Sequence, residues 1–78
     1  MHVHVLHFAI LRERAGCGEQ RVPIALGTTV GQLYKALFPG LDDGAFSVMF
    51  AVNQVYVAGD HLLADGDEVA FIPPLGGG

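Results

Sequence analysis

The chain is 78 residues long, with a hydrophobic share of 51% and a formal net charge of −4 from four basic against eight acidic residues. One domain with a single modest core is all this length allows, burying somewhat over ~60% of the unfolded surface. The apolar run at 48–52 is far too short for a membrane span, and the acidic balance argues against a nucleic-acid backbone as partner and for a basic groove on another protein. No basic stretch precedes an apolar one, so no secretory signal is expected and a cytoplasmic location follows. Cys17 is the only cysteine, which excludes an internal disulfide and a thiolate metal cluster. Within Ala15-Gly16-Cys17-Gly18 it reads as an incidental loop thiol, with no base near it in sequence.

Taken in order, His2 to Phe8 alternate in the manner of a half-buried strand. Val3, Val5 and His7 fall on one face, Leu6 and Phe8 on the other. The histidines therefore do not share a face, and no carboxylate or cysteine completes a recognised ligand spacing, so no metal site is expected. Residues 9–15 are good helix formers ending at Gly16, which predicts a short helical turn carrying Arg12 and Arg14. Residues 20–26 alternate again through Val22, Ile24 and Leu26, and Pro23 confines this second strand to a sheet edge or a bulge. Thr29 with Gln32 forms a capping box, and Val30, Leu33 and Leu37 follow at helical spacing until Pro39-Gly40. This is the main helix, and its apolar stripe is core.

A loop over 41–46 leads to a third strand at 47–52, a turn at Asn53-Gln54 and a short fourth strand at 55–57. Asp65-Gly66 is a turn signal before the last strand, 68–72. That strand needs a distant partner and is placed parallel to the first, in the middle of the sheet. The expected class is α+β: a mixed sheet of four to five strands with one main helix across one face. Alternation then points Val5, Val55, Val57 and Phe71 inward and leaves Phe8, Tyr56 and Ile72 on the uncovered side. Those three predict an exposed apolar patch of the kind that marks a partner site, with homodimerisation through the open face as the second reading.

After Ile72 the sequence runs Pro73, Pro74, Leu75, Gly76, Gly77, Gly78. Two prolines cannot donate to a sheet and project the chain outward; glycines have no Cβ and can thread a narrow channel. The expected organisation is a domain over 1–72 and an extended, flexible tail over 73–78, able to reach about 20 Å. The chemistry such a tail offers is its α-carboxylate, ionised at neutral pH with an ordinary pKa of about 3.3 to 3.7 and therefore inert until activated.

The order of elements, the Gly-Gly end and the patch beside it resemble ubiquitin-like β-grasp proteins. Three stretches narrow the match: Phe8-Ala9-Ile10-Leu11-Arg12-Glu13, Ala51-Val52-Asn53-Gln54, and Gly66-Asp67-Glu68-Val69-Ala70-Phe71-Ile72-Pro73-Pro74 joined to the glycines. Together they resemble the small, sulfur-carrying subunits of molybdopterin synthase. The resemblance implies a carrier with no bound cofactor, whose Gly78 carboxylate is adenylated with ATP by an E1-like enzyme and converted to a thiocarboxylate. The sulfur comes from a separate persulfide donor protein. Pro73, Pro74, Leu75, Gly76 and Gly77 would thread into the large synthase subunit, where the tail gives its sulfur to cyclic pyranopterin monophosphate. Catalytic side chains would belong to the large subunit, in an assembly of two small and two large subunits. Phe8, Arg12, Tyr56 and Ile72 would hold both protein partners, in mutually exclusive complexes. The rival readings are a β-grasp sulfur carrier for thiamine or cysteine synthesis or tRNA thiolation, a protein modifier joined to lysines, and a non-covalent interaction module with an idle tail.

Overall fold

The structure is a computed structural model and describes residues 1–40 and 48–73. The alternating valines form β1 (His2–His7), with Val3, Val5 and His7 buried. It pairs antiparallel with β2 (Glu19–Pro23), from His2↔Pro23 to Leu6↔Glu19. Between them lies α1 (Ala9–Ala15), which ends on Gly16 at φ 80, the Gly16 N–H reaching the Arg12 carbonyl. β2 is shorter than the alternation predicts. It stops at Pro23, and the chain turns at 25–28 with Gly27 at φ 90, so Ile24 is only half-buried and Leu26 is 88% exposed. The Ile24 N–H still donates to the Met1 carbonyl at 2.8 Å, so the nitrogen of Pro23 falls on the open side of the strand, which holds the sheet edge as expected.

α2 (Val30–Leu37) starts on the expected capping box. Thr29 N–H donates to Gln32 Oε1 at 2.9 Å and Gln32 N–H to Thr29 Oγ1 at 3.1 Å. Val30, Leu33 and Tyr34 face the sheet. The first turn lies so close to the 59–61 loop that a Cβ on Gly31 would sit 2.9 Å from the Gly59 carbonyl oxygen, which reserves this position for glycine.

The remaining strands are β3 (Met49–Val52), β4 (Val55–Val57) and β5 (Glu68–Ile72). β3 begins two residues later than expected: Val48 precedes it, and 41–47, including the loop expected there, lie outside the described residues. The sheet order is β2-β1-β5-β3-β4, with β5 parallel to β1 and antiparallel to β3. The last strand thus takes the central place that its lack of a nearby partner predicts.

Phe71, at 0% exposure, is the hub of the core. The rings of Tyr34, Phe50 and Phe38 surround it at centroid distances of 5.3, 5.8 and 6.2 Å. Val3, Val5, Leu11, Val22, Val30, Leu33, Val52, Leu63 and Val69 complete the cluster. Val55 corrects one expectation. Alternation assigns it inward, but it is 62% exposed, because β4 is an edge strand with a neighbour on one side only, and of its two inner-face valines only Val57 packs against the core.

The β3–β4 turn places Asn53 at φ 51 and Gln54 at φ 70, the two positive values of a type I′ hairpin. The Asn53 side chain also ties this turn to β5. Its Nδ2 donates to Asp67 Oδ1 at 3.0 Å and its Oδ1 accepts from the Glu68 N–H at 3.0 Å, while Asp67 Oδ2 accepts from the Ala64 N–H at 2.8 Å. Asn53→Ala is expected to cost about 2 kcal/mol, combining a left-handed backbone that alanine resists with two lost hydrogen bonds. Chemical denaturation checks this, and Asn53→Gly should recover the backbone share only. Nearby, the His2 N–H donates to Asp65 Oδ1 at 2.9 Å and holds that exposed carboxyl below its ordinary 3.8. Its small contribution is therefore present at neutral pH and is lost as the pH falls below that ordinary value toward the lowered one.

Candidate functional site

α2 covers one face of the sheet, and the other face carries the side chains of opposite parity. Register fixes their neighbours. Leu6 lies beside Ala70, Ala70 beside Ala51 and Ala51 beside Tyr56. In the next rung Ile72 lies beside Met49. A shallow depression of about 330 Å³ opens over these rungs. Leu6, Phe8, Ala51, Tyr56, Ala70 and Ile72 give it apolar walls, and Gln54 and Glu68 border it. Small alanines at the centre and larger side chains around them produce the concavity.

Phe8, Tyr56 and Ile72, which the sequence assigns to one patch, do converge on this depression. Phe8 is 45% exposed and Tyr56 63%. Arg12 does not line it. It sits one helical turn past Phe8, its N–H directed to the Phe8 carbonyl at 3.3 Å, and its side chain leans over the loop after α1, with Nε 3.4 Å from where a Gly18 Cβ would stand. Its tie to the patch is through the α1 backbone, which begins at Phe8. Phe8 itself is delivered by the chain's exit from β1: Ala9, the first residue of α1, adopts φ 51, a turn that an L-residue makes at some cost.

Sequence reasoning missed Met49, which is 53% exposed and shares a rung with Ile72, and also Ala51 and Ala70, which form the floor with Leu6, already placed on the Phe8 face. Alternation within β3 does give Met49 and Ala51 the same parity. What it withholds is that β3 lies directly against β5.

The floor of the site runs straight into the tail. Ile72 closes β5, and Pro73 after it is buried, so the packed body reaches one residue beyond the expected boundary at 72. Pro74, Leu75, Gly76, Gly77 and Gly78 lie outside the described residues.

His7 and Cys17 are occupied elsewhere. His7 is 3% exposed on the helix side, with Nε2 2.8 Å from Gln20 Oε1 and its ring 5.4 Å from that of Phe38. The Cys17 thiol points at the same Gln20 oxygen from 3.7 Å. Among the described residues no group of three His, Cys, Asp or Glu is placed to hold a metal ion, and no helix is long and apolar enough to cross a membrane. The geometry is an apolar concavity on the uncovered sheet face, ending at Ile72 just before Pro73 and the Gly-Gly sequence.

Comparison with known proteins places the chain in a family. The model of the ThiS family matches residues 5–78. The molybdopterin synthase sulfur carrier subunit of Chlamydomonas reinhardtii is 43% identical, with 100% of both chains covered. That of Escherichia coli is 40% identical over 97% of this chain and 99% of its own. Among solved structures, small archaeal modifier protein 1 of H. volcanii superposes with a TM-score of 0.78 at 28% identity, covering 95% of this chain and 98% of its own. Matched from β1 through Gly78, the chain belongs to the ThiS family.

Proposed function

We propose that this chain is the sulfur carrier subunit of a molybdopterin synthase, working in the cytoplasm with Gly78 as the acyl carrier. The observation that carries the reading is the continuity of Phe8, Tyr56 and Ile72 in one depression with Pro73 and the Gly-Gly sequence beyond it, in a chain similar over its length to named sulfur carrier subunits. An E1-like enzyme docks on the apolar face and the Gly78 carboxylate attacks the α-phosphorus of ATP. Pyrophosphate leaves and an acyl adenylate remains, whose AMP is a far better leaving group than hydroxide. A persulfide sulfur from a donor protein then attacks the Gly78 carbonyl and expels AMP. A thiol supplies the two electrons that cleave the resulting acyl disulfide, leaving the thiocarboxylate. The same face next docks on the large synthase subunit. Pro74, Leu75, Gly76 and Gly77 thread into that subunit's active site, and the sulfur passes to cyclic pyranopterin monophosphate, water restoring the carboxylate. Phe8, Tyr56, Ile72 and Met49 supply the apolar anchor and Arg12 a flanking charge. Because one face serves both enzymes, the two complexes exclude each other.

Reconstitution tests this reading. Thiocarboxylated chain, large subunit and cyclic pyranopterin monophosphate should yield molybdopterin with two carriers consumed per product, and carboxylate chain should yield none. A product formed equally from both forms overturns it.

The likeness to small archaeal modifier protein 1 favours a second reading, in which the same acyl adenylate is passed to lysine amines of other proteins. Mass spectrometry of cell extract separates the two: Gly78 isopeptides on many proteins support the modifier, and their absence alongside the thiocarboxylate supports the carrier.

A further inference from the structure

The uncovered face is not apolar throughout. Two rungs from the Ile72–Met49 pair, the neighbouring strands β2, β1 and β5 carry Arg21, His4 and Glu68 side by side. The first two have business away from the depression. His4 Nε2 lies 3.2 Å from Glu19 Oε2, on β2, and Arg21 is a strand further out than His4. Glu68 is left over. It is half-buried, it borders the apolar depression together with Gln54 and Tyr56, and its carboxylate has no hydrogen bond or ion pair among the described residues, Asn53 engaging only its backbone.

A carboxylate that loses part of its hydration beside an apolar surface and gains no partner is a net cost to the isolated domain. A glutamine there would keep the shape without the charge. The cost is recovered if a docked protein brings a cation, and the surroundings favour a guanidinium over an ammonium. Arginine is planar and weakly hydrated, and it lies readily against an aromatic face such as Tyr56 while forking onto a carboxylate.

Resting on the sulfur-carrier reading, we propose that Glu68 is the electrostatic register pin of the docking face, receiving an arginine from the large synthase subunit. The apolar anchor sits at the tail end and the charge at the far end, so the pair fixes which way the domain lies and aims the tail at the partner's channel. Like-charged or neutral surfaces at that point are rejected.

The test measures binding of full-length variants to the large subunit from the same organism by calorimetry, at low and high salt, with the thermal midpoint as a check on folding. Glu68→Gln should raise Kd about tenfold and flatten its salt dependence, and Glu68→Lys should raise it about a hundredfold. Asp60→Asn, which removes the same charge from an exposed loop, should leave Kd unchanged. Wild-type affinity and salt slope in Glu68→Gln overturn the pin, as does an equal loss in Asp60→Asn. Ile72→Arg in the same series tests the underlying reading separately. If it binds as wild type the docking face itself is misplaced, whereas loss in Ile72→Arg with none in Glu68→Gln removes only the pin.

Discussion

Removing Gly77 and Gly78 is expected to abolish sulfur transfer, by more than about three orders of magnitude, while leaving the fold intact and docking only weakened. The reason is chemical. Gly78 supplies the acyl carbon on which adenylate and thiocarboxylate form, and no side chain elsewhere substitutes for it. After truncation, Gly76 would present a carboxylate of the same intrinsic reactivity, but the tail would fall short of a buried partner centre by about 7 Å. A displacement of that size defeats a reaction that needs its atoms within near-attack distance. The apolar anchor lies within the described body, so calorimetry should still register complex formation with the large subunit. A truncated chain that sustains molybdopterin synthesis would mean that the tail is idle.

The second large effect comes from two neighbours with opposite fates. Phe71 and Ile72 are consecutive in β5, yet Phe71 is fully buried among Tyr34, Phe38 and Phe50, while Ile72 lines the outer depression. Phe71→Ala should cost about 3–5 kcal/mol. For a domain of this size, whose whole stability is of order 4–12 kcal/mol, that lowers the thermal midpoint by on the order of 20 °C and leaves a large unfolded fraction at growth temperature. Ile72→Arg should move the midpoint by no more than a few degrees and cost about 2–4 kcal/mol of partner binding, a Kd increase of roughly thirty- to several-hundredfold. Paired thermal denaturation and calorimetry read both effects. If Ile72→Arg unfolds the domain, or Phe71→Ala does not destabilise it, the two faces of the sheet have been exchanged.

Much of this was legible in the sequence because local rules act alone there. The capping box at Thr29 and Gln32, the Gly16 stop of α1, the Asn53-Gln54 turn and the alternation of β1 and β5 each depend on a few adjacent residues. The central, parallel placement of β5 followed from its lack of a partner nearby in sequence. The errors lie where tertiary context decides. Leu26 continues the period-two pattern of β2, but the 25–28 turn, closed by the Thr28 N–H on the Ala25 carbonyl, carries the chain away. Val55 has the parity of a core residue on an edge strand that the core does not fully reach.

The site was half legible for the same reason. Parity alone selects Phe8, Tyr56 and Ile72, whereas Met49 and the Ala51–Ala70 floor need the β3–β5 register, which no local signal encodes. Glu68 stands in a turn-and-strand stretch that sequence reading uses for the resemblance as a whole. Only the structure shows its carboxylate without a partner among the described residues.

The central claim is that the carrier group is the Gly78 acyl group, and intact mass tests it most directly. Purified from cells with active sulfur transfer, the chain should contain a species about 16 Da heavier, oxygen replaced by sulfur, localised to the C-terminal peptide and lost on incubation with the large subunit and the pterin precursor. An unmodified C-terminal peptide under those conditions, with sulfur found instead as an added ~32 Da on the Cys17 peptide, would contradict it.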